Sequence, residues 1–207
     1  MSDPSLSTDP VVVKPSVVEV TSKIGDPGPL GLAGFAMTTF ILSLSNANWI
    51  PAAAGSVLAL ALAYGGLVQL LAGMWEFKNG NTFGAVAFSS YGAFWLAFFY
   101  YVKYIAATLP AATAHTTTGW FLLAWGIFTL YMLVASLKTN GAVIAVFFFL
   151  TVTFFLLAIG ALGNHAEVTK IGGVIGIVTA ICAWYASFAG VTNATWKKTV
   201  LPVWPIR

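Results

Sequence analysis

Long apolar runs follow one another from Leu30 to Val191, separated only by short polar breaks. They cover about Leu30–Leu44, Ala52–Trp75, Phe83–Ala107, Thr117–Leu137, Ala142–Leu162 and Ile171–Val191. Most are near the ~20 residues that an α-helix needs to cross the hydrocarbon layer. Only 7% of the residues are charged, against ~25% in a soluble domain. Those charges sit mostly in tails and short connections. The chain therefore reads as an all-α integral membrane protein with six transmembrane helices. Short connections predict antiparallel neighbours and little mass outside the membrane.

The flanks are different. Residues 1–25 are polar, rich in Ser, Thr, Val and Pro, and lack the basic start and apolar core of a signal peptide. They predict a flexible tail, with Val11–Val13 available to touch the membrane surface. Residues 26–195 form the expected six-helix domain, and residues 196–207 a short second tail. An even number of spans puts both tails and the 2–3 and 4–5 connections on one side. That side holds Lys14, Lys23, Lys78, Lys138, Lys197, Lys198 and Arg207, whereas the other has Lys170 and Lys103. The positive-inside rule then predicts cytoplasmic termini in a multi-pass plasma or inner membrane protein. Trp49, Trp75, Trp120, Trp196 and Trp204 fall near span ends, as an interfacial aromatic belt requires.

Several kinds of chemistry find no footing. His115 and His165 are the only histidines, and neither has acidic or cysteine neighbours at metal-ligand spacing. Cys182 is the only cysteine, lies within an apolar run, and reads as a small packing residue. No phosphate-binding loop or G-x-S-x-G elbow occurs. The sequence points away from an enzyme, a metalloprotein, a cofactor carrier or a nucleic-acid binder.

What remains is polarity and glycine inside the spans. Phe35, Thr38, Thr39 and Leu42 share a helix face, as do Gly65, Gly66, Gln69, Gly73 and Glu76. Gly84, Phe88, Tyr91 and Trp95 do so in the third span, and Phe147, Leu150, Thr151 and Phe154 in the fifth. Small residues let helices approach closely, and Gln69 fits an interhelical hydrogen bond. Phe35 and Leu150, taken alone, read as bundle core. Glu76 is the only acid expected in or beside a span, with Lys78 as its nearest partner for an interfacial ion pair. Asp26 suits an N-cap and Pro27 a first helical position. The amides and dipole of that helix start make a modest anion site, which the Asp26 charge partly cancels.

These same residues carry a family resemblance. The opening motif is Asp26-Pro27-Gly28-Pro29-Leu30-Gly31-Leu32, followed by Gly34-Phe35. A second block contains Tyr64-Gly65-Gly66, Gln69, Gly73 and Glu76, then Gly80-Asn81-Thr82-Phe83-Gly84, Ala87-Phe88, Ser90-Tyr91-Gly92 and Phe94-Trp95. A third contains Leu137-Lys138, Phe147-Phe148, Leu150-Thr151 and Leu157-Ala158-Ile159-Gly160. Over about Asp26 to Pro202 the chain closely resembles the acetate uptake transporter family, the succinate–acetate permeases of bacteria, archaea and fungi. It departs from the family pattern at Asp26, where Asn is usual, and at Gly28, where Ala is usual.

The resemblance implies a six-helix protomer, a hexameric homo-oligomer, and a path through each protomer for acetate or other small carboxylates. It also implies a hydrophobic constriction at Phe35, Tyr91 and Leu150, which moves two residues from core to gate. Asp26, Pro27, Thr38, Gln69, Glu76, Asn81, Thr82 and Thr151 are then expected to line the path or its mouths. The Tyr91 hydroxyl is expected to meet the substrate carboxylate, and proton coupling is expected because a neutral acid crosses an apolar neck more easily than an anion. Two other readings stay open: export of ammonium or ammonia, and a membrane sensor that transports nothing.

Overall fold

The computed structural model describes residues 24–206, so the expected first tail, Val11–Val13 included, lies almost wholly outside the described residues. Among the described residues, six helices are long and apolar enough to cross a membrane. They are α1 (Gly28–Asn46), α2 (Ala53–Lys78), α3 (Thr82–Thr108), α4 (Ala111–Ser136), α5 (Gly141–Leu162) and α6 (Ala166–Trp196).

Helix ends depart from the hydropathy limits. α4 starts at Ala111 rather than Thr117, and α6 at Ala166 rather than Ile171. Hydropathy marks the hydrocarbon layer, whereas a helix continues through the interface until a capping residue stops it. Pro110 and His165 stand at those two starts. Glu167 and Lys170 consequently lie within α6 and pair at 2.7 Å across one turn, so Glu76 is not the only acid on a spanning helix. α1 begins one residue later than the capping pattern predicts. Pro27 takes the cap position, and Asp26 Oδ1 accepts the Gly28 N–H at 2.9 Å.

Two helices are irregular. α2 is π-helical over Ala63–Val68, and α3 over Tyr101–Ile105. A π turn adds a residue to the turn and is frequent at functional sites. In α2 it contains Gly65 and Gly66 and ends immediately before Gln69.

α1 packs along α6, α6 along α5, and α5 along α4, while α2 pairs with α3 and also meets α1. In lipid the hydrophobic drive between helices is weak, so close packing and hydrogen bonds hold the bundle. A Cβ at Gly92 of α3 would lie 2.6 Å from the Leu70 backbone nitrogen of α2, and one at Gly73 would strike Ser89. Glycine at both positions brings α2 and α3 into backbone contact, with Ser89 as a packing residue. Across α6 and α1, Ser187 donates to the Pro29 carbonyl at 2.6 Å. Such a bond within a membrane contributes about 0.6 kcal/mol on average.

The segment after α6 is more ordered than a simple tail. Asn193 Oδ1 accepts from the Val200 and Leu201 amides at 2.7 and 3.0 Å. The Trp204 and Val203 carbonyls accept from Gly141 and Ala142, capping the first amides of α5.

Candidate functional site

Local folding first sets the turn between α2 and α3. Gly80 has φ +75°, the left-handed region that glycine enters without strain. Asn81 then caps α3: its Oδ1 accepts the Gly84 N–H at 3.1 Å, and its Nδ2 donates to Glu76 Oε2 at 2.9 Å. Glu76 is 2% exposed. Its partner is therefore Asn81 across the turn, not Lys78; Lys78 is two residues on, about 200° around the helix, and is exposed.

Three cavities follow one another along the bundle. The first, about 320 Å³, lies where α1 and α3 begin and α6 ends, and is lined in part by Asp26, Glu76, Asn81, Asn140 and Asn193. The second, about 600 Å³, lies at the opposite end, where α1 and α3 finish, and is lined in part by Tyr101, His115, Thr118, Thr169 and Lys170. Between these two vestibules is a space of about 20 Å³, lined by Leu32, Phe35, Gln69, Ala87, Phe88, Tyr91, Val146, Phe147 and Leu150. That is room for about one water molecule.

This small space is an apolar neck made by α1, α2, α3 and α5. Phe35 and Tyr91 face each other with ring centroids 5.6 Å apart, and Phe147 lies 6.2 Å from the Tyr91 ring. Phe35, Tyr91 and Leu150 are 4%, 3% and 3% exposed. Gln69 is the polar side chain among the lining residues. It is 1% exposed, and its Oε1 has no hydrogen-bond partner. Buried side-chain polar atoms normally have a partner, so the unpartnered Gln69 Oε1 stands out among the residues of the neck.

The Tyr91 hydroxyl does not serve the neck as expected. Thr129 donates its own proton to the Trp125 carbonyl at 2.7 Å. A hydroxyl carries one proton, so in the 2.8 Å contact between Tyr91 and Thr129 it is Tyr91 that donates. Its O–H is thus directed at α4, a helix that contributes no residue to the neck. Tyr91 presents its ring to the neck.

Other expected residues stand apart from the cavities. Thr38 lies against α2, where a Cβ at Gly65 would come within 2.5 Å of its Oγ1, and its hydroxyl donates to the Gly34 carbonyl at 2.9 Å. Thr151 likewise donates back to Phe147 at 2.7 Å. A hydroxyl bonded to its own helix is free to sit in an apolar contact. Pro27 is buried at the cap of α1 and Thr82 is exposed at the start of α3; neither lines any of the three cavities. Phe88 and Phe147 join the neck without having been singled out for it. Each precedes a constriction residue by three positions on the same helix face, so the spacing carried that signal. Thr129 had none, because its role depends on a contact 38 residues away in the chain.

Comparison with known proteins identifies the family. Residues 12–207 match the model of the GPR1/FUN34/yaaH family. The chain is 41% identical over 182 residues to the succinate-acetate/proton symporter SatP of Escherichia coli K12, covering 88% of this chain and 96% of that protein. It is 41% identical to acetate permease A of Emericella nidulans over 197 residues, 87% of this chain and 66% of the permease. It is 41% identical over 192 residues to ammonia transport outward protein 2 of Saccharomyces cerevisiae, 88% of this chain and 66% of that one. The solved structure of the bacterial acetate channel SatP superposes with a TM-score of 0.82 at 41% identity, covering 87% of this chain and 99% of that one. The chain is a member of the GPR1/FUN34/yaaH family.

Proposed function

We propose that this protein passes acetate and related small carboxylates, succinate among them, across a cell membrane through the apolar neck of each protomer, together with a proton. The observation that carries the reading is the neck itself: about 20 Å³ between vestibules of about 320 and 600 Å³. Relatives named as a succinate-acetate/proton symporter and an acetate permease point the same way.

The physical argument starts with the substrate. Acetate is a methyl group on a carboxylate. Phe35, Tyr91, Leu150 and their apolar neighbours suit the methyl group, and the Gln69 carboxamide suits the carboxyl group. A hydrated ion loses its water in such a constriction and is held back by dewetting. The neutral acid, with its charge discharged by a proton, avoids that cost. The vestibule holding Asp26 and Glu76 faces the cytoplasm, because Lys78, Lys138, Lys197 and Lys198 lie at that end of the bundle. Both ends of the six-helix domain then face inward. The family resemblance supports assembly into a ring of six protomers.

Labelled acetate uptake into proteoliposomes under imposed pH gradients tests this reading. Uptake should rise with an inward proton gradient and be insensitive to membrane potential. Uptake that follows the potential and ignores the pH gradient overturns the proton-coupled form in favour of an anion channel.

A second reading is export of ammonia, the activity named for the yeast relative. An aromatic cage or an acid at the constriction would recognise ammonium. Here the buried acid, Glu76, lines the inner vestibule rather than the neck. Acetate flux unaffected by ammonium in one vesicle assay favours the carboxylate reading. Vesicles that show no flux of either solute return the protein to the sensor class.

A further inference from the structure

The neck and the outer vestibule are not continuous. The neck shares Leu32, Ala87, Phe88 and Phe147 with the inner vestibule, but no lining residue with the outer one. Each helix passes through one further layer before the outer vestibule begins. On α1 the order is Phe35 in the neck, Thr38, then Leu42 in the vestibule wall. On α3 it is Tyr91, then Phe94 and Trp95, then Phe98, and on α5 it is Leu150, Phe154, Leu157.

That intermediate layer is packed shut. Phe94 meets Phe154 edge-on at 5.5 Å and Trp95 at 4.9 Å. Thr38, Phe94, Trp95 and Phe154 are 0%, 3%, 2% and 4% exposed. On α2 the layer is completed by a residue with no side chain: a Cβ at Gly65 would lie 2.5 Å from Thr38 Oγ1 and 2.9 Å from Trp95 Cδ1. None of these residues lines any of the three cavities.

Two features set this layer apart from ordinary core. Gly65 belongs to the π-helical stretch of α2, an irregularity frequent at functional sites. Trp95 Nε1 is buried without a hydrogen-bond partner, whereas a buried indole N–H usually has one. A layer with an orphaned donor beside irregular backbone is satisfied better in some other arrangement.

We propose that Thr38, Gly65, Phe94, Trp95 and Phe154 form a second gate, distinct from the Phe35–Tyr91–Leu150 neck, which closes the path toward the outer vestibule. The π-helical stretch of α2 is the element that moves, and Trp95 Nε1–H meets the carboxyl group of the passing substrate when the gate opens. The structure is thus open to the inner vestibule and closed to the outer one. This rests on the transport path proposed above, but its test does not depend on transport.

The test uses the full chain with Cys182→Ala, so that one introduced thiol reports. Val146→Cys places that thiol in the neck. Its reaction with a membrane-impermeant methanethiosulfonate is followed in inside-out and right-side-out vesicles. An open minor state populated at ~0.1–10% makes the inner rate at least about tenfold faster than the outer rate. Adding Trp95→Ala or Phe154→Ala should raise the outer rate about tenfold and leave the inner rate unchanged. Phe154→Leu, a milder change, carries the test with a smaller rise if those variants fail to assemble. Equal inner and outer rates in the parent overturn the second gate. So does an unchanged outer rate in assembled variants. Both results would leave proton-driven acetate uptake, measured separately, untouched.

Discussion

Tyr91 gives its hydroxyl proton to Thr129 Oγ1 at 2.8 Å, and so turns its O–H away from the neck its ring helps to form. The hydroxyl anchors the ring against α4, and the ring lines the neck. Phe128 braces it edge-on at 5.4 Å, and Trp125 lies tilted against it at 6.1 Å.

Tyr91→Phe should therefore keep acetate flux within about twofold of the parent. The remaining effect is on stability, since Thr129 loses a donor but keeps its bond to Trp125. Thr129→Val is the harsher change, because it leaves the Tyr91 hydroxyl buried and unpaired, at about 1–3 kcal/mol. Thermal unfolding in detergent and vesicle uptake separate the two effects. A loss of transport in stable Tyr91→Phe would return the hydroxyl to the carboxylate.

Phe35→Ala and Leu150→Ala act on the neck directly. Removing a buried Leu or Phe side chain costs roughly 2–5 kcal/mol in stability, and the cavity left here joins the path. Larger monocarboxylates such as butyrate should enter, and the preference for acetate should shrink. Competition of unlabelled acids against labelled acetate measures it. An unchanged rank order in properly assembled variants makes both residues plain packing.

Gln69 is the polar side chain of the neck, with its Oε1 unpartnered. If the carboxamide holds the substrate's carboxyl group, Gln69→Leu should raise the apparent KM for acetate. The unpartnered Oε1 can accept the O–H of the neutral acid, and such a bond contributes about 0.5–1.5 kcal/mol, which corresponds to roughly 2–13-fold. The same change should not lower stability, because replacing an unsatisfied polar group by an apolar one of similar shape is neutral or better. Unaltered KM with lower thermal stability would show instead that Gln69 serves only the helix contact.

These residues also show what was legible in the sequence. The six spans were, because hydrocarbon thickness dictates run length, although interfacial turns such as Ala111–Thr116 escaped hydropathy. Gln69 stood out because a carboxamide within an apolar span is costly. Phe35 and Leu150 did not stand out on physical grounds, since a gate and a core side chain have the same composition and spacing; resemblance alone singled them out. Thr38 and Thr151, expected on the path from the resemblance, line none of the three cavities, and each hydroxyl bonds back to its own helix. The Tyr91–Thr129 bond was invisible, since local pattern contains nothing of which helices become neighbours.

Glu76 tests where the proton travels. It lines the vestibule that also holds Asp26 and accepts a 2.9 Å hydrogen bond from Asn81, and no acid lines the neck beyond it. If the proton crosses on the substrate as neutral acid, Glu76→Gln should keep uptake dependent on the pH gradient. The amide oxygen of Gln can still accept from Asn81, so the α2–α3 turn survives. Asn81→Ala removes that bond and the cap on Gly84 together, and loss of an N-cap alone costs about 0.5–2 kcal/mol. Uptake in Glu76→Gln vesicles that no longer responds to the pH gradient would place the proton on the protein, with Glu76 as its carrier. Retained dependence, alongside the lower stability of Asn81→Ala, makes Glu76 a structural anchor of the vestibule wall and leaves the proton on the acid that crosses.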